Sequence, residues 1–350
     1  MEMAWISQPA VPGNHFIVVL VGSRWVSLLK RQWFMICLVS VLGLGWIWHT
    51  ALESFAESTA LRYIIVATVL FLMALPLDAQ MMWRSVRRPL APLVGSGLNF
   101  ILVPLLAWSV SRFFNREMSV GLMVAAAAPC TLASASVWTR RAEGNDSVSM
   151  MITILTNMAC FVVTPMLVLQ TTGLESNTES LSFSRLATKL GLLVVCPMVL
   201  AQLLRRSQAV ASWATEKKKI LGVFAQFGLL AIVTMGAVRA ATYAGEGGVS
   251  QYLGVLPWLF LAVLGIHLLT FFAGLATTKW LGMPDQDRIA VAIGGSQKTL
   301  MVGLHLSIEL GVSVFPMILY HLTQLVVDTW LADWWRERTK KQKTGQPPHP

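Results

Sequence analysis

Charge is what this sequence has least of. Asp and Glu together number 17 in 350 residues, and all charged residues make up 13% of the chain against 55% hydrophobic. That balance excludes an ordinary soluble domain, in which about a quarter of residues are charged. Cysteine is scarce as well: Cys37, Cys130, Cys160 and Cys196 lie in apolar stretches without CxxC spacing, which excludes a disulfide framework and a zinc site. Common enzyme signatures are missing, with no GxSxG, no HExxH and no glycine-rich phosphate loop ending in Lys-Ser or Lys-Thr. A hydrolase working inside a bilayer needs a paired catalytic set, whereas Asp78, Asp146, Asp285, Asp287, Asp328 and Asp333 read as residues at the ends of apolar runs. The chain therefore reads as a non-enzyme with no resident cofactor.

What is present is a series of runs long enough to cross a membrane. A helix needs about 20 apolar residues to span the hydrocarbon core. Trp33–Thr50, Pro89–Ser111, Met118–Thr139, Ser147–Leu174, Ile220–Val238, Gly247–Thr278 and Leu310–Val327 contain no Asp, Glu, Lys or Arg, and Leu61–Met82, Ala187–Leu204 and Ile289–Ile308 contain few. Ten spans are expected. Of 27 Lys and Arg, 20 fall on one side of such a ten-span arrangement and 6 on the other, with Lys298 inside a span. The asymmetry places both termini in the cytoplasm of a cell-membrane protein. It also accounts for the net charge of +10 as a topology signal, so nucleic acid is not an expected partner and the lipid bilayer is.

The organisation expected is a cytoplasmic N-terminal segment (1–32), a first five-helix repeat (33–174), a second, inverted repeat (175–335) and a disordered cytoplasmic tail (336–350). The N-terminal segment does not read as a cleavable signal peptide, and its residues 17–29 are expected to form an interfacial helix. The repeat rests on an internal echo. Gly97-Leu98-Asn99 and Gly265-Ile266-His267 each precede, by about 30 residues, a span broken by small and polar residues: Pro129-Cys130-Thr131-Leu132-Ala133-Ser134 in the fourth, Gly294-Gly295-Ser296-Gln297-Lys298-Thr299 in the ninth. Five spans per half give the halves opposite orientation, and broken spans at matching places point to a midplane binding site.

Lys298 lies about ten residues from either end of its span, so it is either a snorkelling lysine or a functional cation. In the fifth span Ser149, Thr153, Thr156, Asn157, Cys160 and Thr164 recur at helical spacing as one polar stripe. Such a stripe either offers hard oxygen ligands to a cation or packs helices closely. In the last span His321, Gln324 and Asp328 share a face, which reads as a proton relay or as packing polar groups beside a span end.

These residues carry a resemblance. Lys30-Arg31-Gln32-Trp33-Phe34-Met35, the stretch from Pro129 to Asn145 with Glu143-Gly144-Asn145, Val163-Thr164-Pro165, Gln297-Lys298-Thr299-Leu300, and Tyr320-His321 with Gln324 together resemble the bile acid:sodium symporter superfamily. The resemblance is to its SBF-like branch, which includes the seventh member of solute-carrier family 10, and it covers about residues 29–335. It implies an all-α fold of ten spans in two inverted repeats, with a panel of spans 1, 2, 6 and 7 beside a core in which unwound spans 4 and 9 cross. It implies a secondary transporter of a small organic anion, with sodium or protons as coupling ion.

The family's sodium ligands map only in part. Ser149 and Thr153 match the serine and threonine that follow Asn145, and Ser134 matches the serine after Pro129. Thr131 comes one residue early, Ala135 stands where an asparagine would be, and Ser136 is its polar substitute. Asn99 resembles a glutamine ligand of the third span. In the second motif Gln297 is kept, followed by Lys298 and Thr299, but the family glutamate is Ile293. The candidate substrate and ion site is thus Asn99, Ser134, Ser136, Ser149, Thr153, Gln297, Lys298 and Thr299, with Asn99, Ser134, Ser149, Thr153 and Gln297 as the sodium candidates. A sodium site that loses its carboxylate and gains a cation is weakened by several kcal/mol on the order of a Coulomb term in a partly dry cavity. Two-sodium symport is therefore not expected, and Lys298 is the expected replacement. The alternative is a non-transporting membrane regulator of ion homeostasis with the same fold.

Overall fold

The computed structural model describes residues 33–80, 89–173, 182–244 and 250–344, so the expected interfacial helix at 17–29 lies outside the described residues. Those residues are all-helical, with no strand among them. Twelve helices carry the architecture: α1 (Trp33–Ile47), α2 (Thr59–Ala74), α3 (Leu90–Ser111), α4 (Arg116–Ala127), α5 (Ser134–Arg141), α6 (Asp146–Thr172), α7 (Phe183–Leu204), α8 (Lys218–Ala244), α9 (Leu256–Trp280), α10 (Asp285–Ser296), α11 (Leu300–Glu309) and α12 (Phe315–Thr344). Five of them, α3, α6, α7, α8 and α9, are long and apolar enough to cross a membrane, and α1 and α2 are shorter apolar helices. Large apolar side chains face outward along them, among them Ile101, Trp108, Leu192, Phe224, Trp258 and Leu269, as lipid-facing helices require.

Local chemistry sets where helices end. Asn115 caps α4 by accepting from Met118 N–H at 2.9 Å, and Gly173 closes α6 in the left-handed region at φ 64°. Pro129 stops α4, because the residue before a proline is driven out of the helical region; Ala128 accordingly has ψ 147°. The second break has no proline. Gly294 and Gly295 weaken the end of α10, and Gln297 and Thr299 are extended, with ψ 146° and 124°. Of the expected disordered tail (336–350), the part up to Thr344 continues α12 as helix and the rest lies outside the described residues.

In α3 the turn Leu98–Leu102 is π-helical and is followed by Pro104. Val103 N–H, which in an α-helix would donate to Asn99, donates to Leu98 O instead. The Asn99 carbonyl is left with no helical partner, a detail that matters below.

The helix α2 packs against both α7 and α8, while α3, α6, α9 and α10 pack around the two breaks. Close approach there relies on small residues. A Cβ at Gly274 of α9 would sit 2.9 Å from Ala292 Cα on α10, and one at Gly295 would sit 3.0 Å from Leu98 Cβ. A cavity of about 220 Å³ lies between α1, α2 and α8 on one side and the two breaks with α5, α11 and α12 on the other, with Arg140 and Lys218 in its lining.

Candidate ion and substrate site

The two breaks touch. Thr299 N–H donates to Pro129 O at 2.8 Å, so the ends of four short helices converge on one point. A broken helix leaves up to four free carbonyls at its new C-terminal end and up to four free N–H groups at its new N-terminal end, and inside apolar surroundings every one needs a partner.

The stripe on α6 supplies partners for the first break. Thr164 Oγ1 donates to Ala127 O at 2.7 Å, Asn157 Nδ2 to Cys130 O at 2.8 Å and Thr153 Oγ1 to Thr131 O at 3.0 Å, while Thr156 Oγ1 accepts from Cys130 N–H at 3.2 Å. Residues on α3, α9 and α12 do the same for the second break. Asn99 Nδ2 donates to Gln297 O at 2.8 Å, and Tyr320 O–H to Ser296 O at 2.9 Å. The side-chain amide of Gln324 pairs with the Lys298 peptide in both directions, accepting from its N–H at 2.8 Å and donating to its carbonyl at 2.9 Å.

Lys298 is fully buried and does not snorkel. Its Nζ donates to Asn99 O at 2.6 Å, Ala128 O at 2.9 Å and Asn99 Oδ1 at 3.1 Å, and lies 5.8 Å from the centre of the Phe100 ring. Each acceptor has a structural cause. The Asn99 carbonyl is freed by the π-turn before Pro104, and Ala128 O belongs to the C-terminal end of α4, where the helix dipole favours a cation. All three acceptors are neutral.

Gln297 joins the cavity to the interior. Its Oε1 accepts from Thr131 Oγ1 and Ser134 Oγ, each at 2.9 Å, and its Nε2 donates to Asp328 Oδ2. Asp328 Oδ1 is 2.9 Å from His267 Nε2, and His267 Nδ1 is 3.3 Å from Ser296 O. Both residues are fully buried. Asp328 is thus no span-end carboxylate: it sits midway along α12, and neither it nor His267 stood in the expected site. The sequence signal for both was available, a charge in an apolar helix and a histidine in the Gly-Ile-His echo.

Of the expected residues, Ser134, Ser136 and Thr299 line the cavity with Thr131 and His321. Asn99, Thr153, Gln297 and Lys298 lie behind them and are buried, holding the breaks. Ser149 bonds elsewhere, its hydroxyl turning back to Asp146 O on its own helix at 3.0 Å. The oxygens of Asn99 and Gln297, two of the sodium candidates, have protein partners in this structure. Asn99 O and Oδ1 are taken by an ammonium, Gln297 Oε1 by two hydroxyls, and Ile293 supplies no carboxylate. Among the described residues no group of three His, Cys, Asp or Glu side chains is placed to hold a metal.

The electrostatic arrangement is polarised. The N-terminal ends of α5 and α11 reach the cavity through Ser134 and Leu300, and neither helix is capped by its N-cap side chain. The carbonyl ends of α4 and α10 point away from it, toward Lys298, Asn99 and Tyr320. Helix N-termini are ready-made anion sites. Arg140 and Lys218 add two cations to the lining, whose walls are the apolar Phe34, Leu72, Met73 and Leu229.

A family model describing the SBF-like CPA transporter family matches residues 32–337. Sodium/bile acid cotransporter 7-B of Xenopus laevis is 24% identical over 347 residues, which cover 92% of this chain and 98% of that protein. Sodium/bile acid cotransporter 7 of Mus musculus is 24% identical over 350 residues, covering 93% and 99%. The probable sodium/metabolite cotransporter BASS4, chloroplastic, of Arabidopsis thaliana is 25% identical over 352 residues, covering 92% and 77%.

Proposed function

The chain belongs to the SBF-like CPA transporter family, and we propose that it is a secondary transporter that moves a small organic anion by alternating access, with Lys298 in place of a bound sodium ion. The observation that carries this reading is the ammonium of Lys298 enclosed by Asn99 O, Asn99 Oδ1 and Ala128 O. Such a set of oxygens suits a small cation, and here the cation is part of the chain. The anion preference draws support from the N-terminal ends of α5 and α11 at the cavity, the first of them capped in part where Ala135 N–H donates to Thr131 Oγ1 at 3.1 Å, and from Arg140 and Lys218 in the lining. The relatives whose names specify sodium cotransport mark what this chain departs from.

In this reading the twelve helices form ten spans in two inverted halves, α4 with α5 and α10 with α11 each making one broken span, and both termini face the cytoplasm of a cell membrane. The bond between Thr299 and Pro129 and the matched breaks support that arrangement. The cavity then faces the cytoplasm, and the anion binds against Thr131, Ser134 and Thr299. Loss of a proton from Lys298 exchanges a bound cation for a neutral amine, which replaces sodium coupling by proton coupling.

The test begins with a thermal-shift screen of organic anions on purified protein, followed by uptake into proteoliposomes. Saturable uptake should persist when sodium is replaced by N-methylglucamine across a pH series. Lys298→Met should lower it by roughly tenfold or more, about 1.4 kcal/mol of binding or barrier, and should flatten its pH dependence. Flux that collapses without sodium, or a Lys298→Met protein with wild-type flux and pH profile, removes Lys298 from this role. No saturable flux with any anion favours the non-transporting regulator.

A further inference from the structure

At the end of the molecule remote from the cavity mouth, three helices meet on one carboxylate. Glu309, the last residue of α11, accepts from Arg62 Nη2 of α2 at 2.6 Å, from Lys189 Nζ of α7, and from Tyr63 O–H of α2 at 3.2 Å. The ten residues from Arg62 to the cavity-lining Leu72 span about 15 Å of helix, which separates this cluster from the cavity. Arg239 of α8 donates to Ile308 O at 3.0 Å, so the C-terminal end of α11 faces cations from α2, α7 and α8.

The cluster has more donors than its carboxylate uses. Arg62 is 3% exposed, yet its Nε and Nη1 have no partner among the described residues. His305, one turn before Glu309 and 5.5 Å from the Tyr63 ring, is buried, and both of its ring nitrogens are unpartnered there. Buried guanidinium nitrogens without acceptors are costly. Two cations against one anion leave a net charge of +1 in a half-dry place, and the planar fork of an arginine matches a carboxylate bidentately, whereas Glu309 engages it through one nitrogen.

We propose that Arg62, Lys189 and Tyr63 form a carboxylate-binding site, which Glu309 occupies in this state and which a carboxylate ligand takes over when α11 withdraws from α2 and α7. The proposal rests on the alternating-access reading for the withdrawal, but the site itself does not depend on transport. Glu309 acts as an internal occupant. It closes this face while the cavity is open at the other, and its replacement by a ligand carboxylate leaves the cation pair satisfied in the opposite state. The ligand class is a monocarboxylate, since one two-oxygen group uses the three donors that Glu309 now uses and reaches the free Arg62 nitrogens as well.

The test compares sodium acetate with sodium chloride at equal ionic strength, read as the thermal unfolding midpoint of the full chain in detergent. Glu309→Ala vacates a carboxylate-sized space, and Glu309→Ser leaves nearly the same space beside a polar side chain in case the alanine variant does not fold. In either variant acetate should raise the midpoint beyond chloride by roughly 3 °C at about ten times its Kd. The wild type should show no acetate-specific rise, and adding Arg62→Gln to the Glu309 variant should abolish it. Equal effects of acetate and chloride on the Glu309 variants, an acetate-specific rise in the wild type, or one that survives Arg62→Gln would each overturn the proposal. A chain that passes this test but gives no saturable flux sinks the transport reading and leaves the site. A chain that transports but shows no acetate-specific effect sinks the site alone.

Discussion

Gln324 offers the sharpest check on how the second break is held. Its amide pairs with both the N–H and the carbonyl of Lys298, in a position where neither group meets water. Gln324→Leu keeps the approximate volume and removes both partners at once. A buried peptide group left without its bond costs about 1–3 kcal/mol, so two cost about 2–6 kcal/mol. Burial of leucine in place of an amide returns about 1 kcal/mol. The Nδ1 of His321, 3.0 Å from Gln324 Nε2, loses a donor too, but that residue lines the cavity, where water can replace it. A net loss of about 1–5 kcal/mol is expected, a shift in the folded-to-unfolded ratio of roughly 5-fold or more.

Thermal or denaturant unfolding in detergent measures it, with Thr171→Val as control. The Thr171 hydroxyl donates back to Leu167 O on its own half-exposed helix, so its loss leaves no orphan and should change stability by under about 0.5 kcal/mol. If Gln324→Leu is no worse than Thr171→Val, side chains do not satisfy the break, and the account given for Asn99, Asn157, Thr153 and Tyr320 fails with it.

Two further outcomes are expected. Gly274→Ala, whose new methyl would meet Ala292 Cα at 2.9 Å, should destabilise the α9–α10 contact by about 1–3 kcal/mol, whereas Gly265→Ala on the same helix meets nothing within 4 Å and should be neutral or stabilising by up to about 1 kcal/mol; unfolding midpoints of the two variants decide it. A reporter fused after Thr344 should read cytoplasmic, from the 20 to 6 division of basic residues, and an external reading would remove the inverted repeat along with the odd-even assignment.

Much of the site was legible as composition in an unusual place. A lysine in an apolar run, and six polar residues at helical spacing in the fifth span, stand out because lipid and apolar core both penalise them. Their partners were not legible. Thr164 caps Ala127 and Asn157 caps Cys130 only because α6 lies along the first break, and no local pattern encodes which helices are neighbours. The Asn99 carbonyl became available through a π-turn that a helical wheel does not contain. Asp328 shows a different limit. Spans delimited by charge-free runs must end wherever a charge occurs, so a buried aspartate is assigned to a span end by construction, and the helical tail to Thr344 is lost for the same reason.

A tethered ammonium and a bound ion satisfy the same carbonyls, but they differ in what they can do during a transport cycle. An ion leaves with the substrate and carries its own gradient into the coupling. Lys298 is held between α10 and α11 by the chain itself, with Gln324 pinning its peptide and its ammonium on the oxygens of Asn99 and Ala128. In the proposed cycle the only charge this site can shed is a proton. Sodium-independent flux that also ignores pH therefore means the anion moves down its own gradient and the membrane potential. Sodium-independent flux that varies with pH, and loses that variation in Lys298→Met, means the lysine carries the coupling.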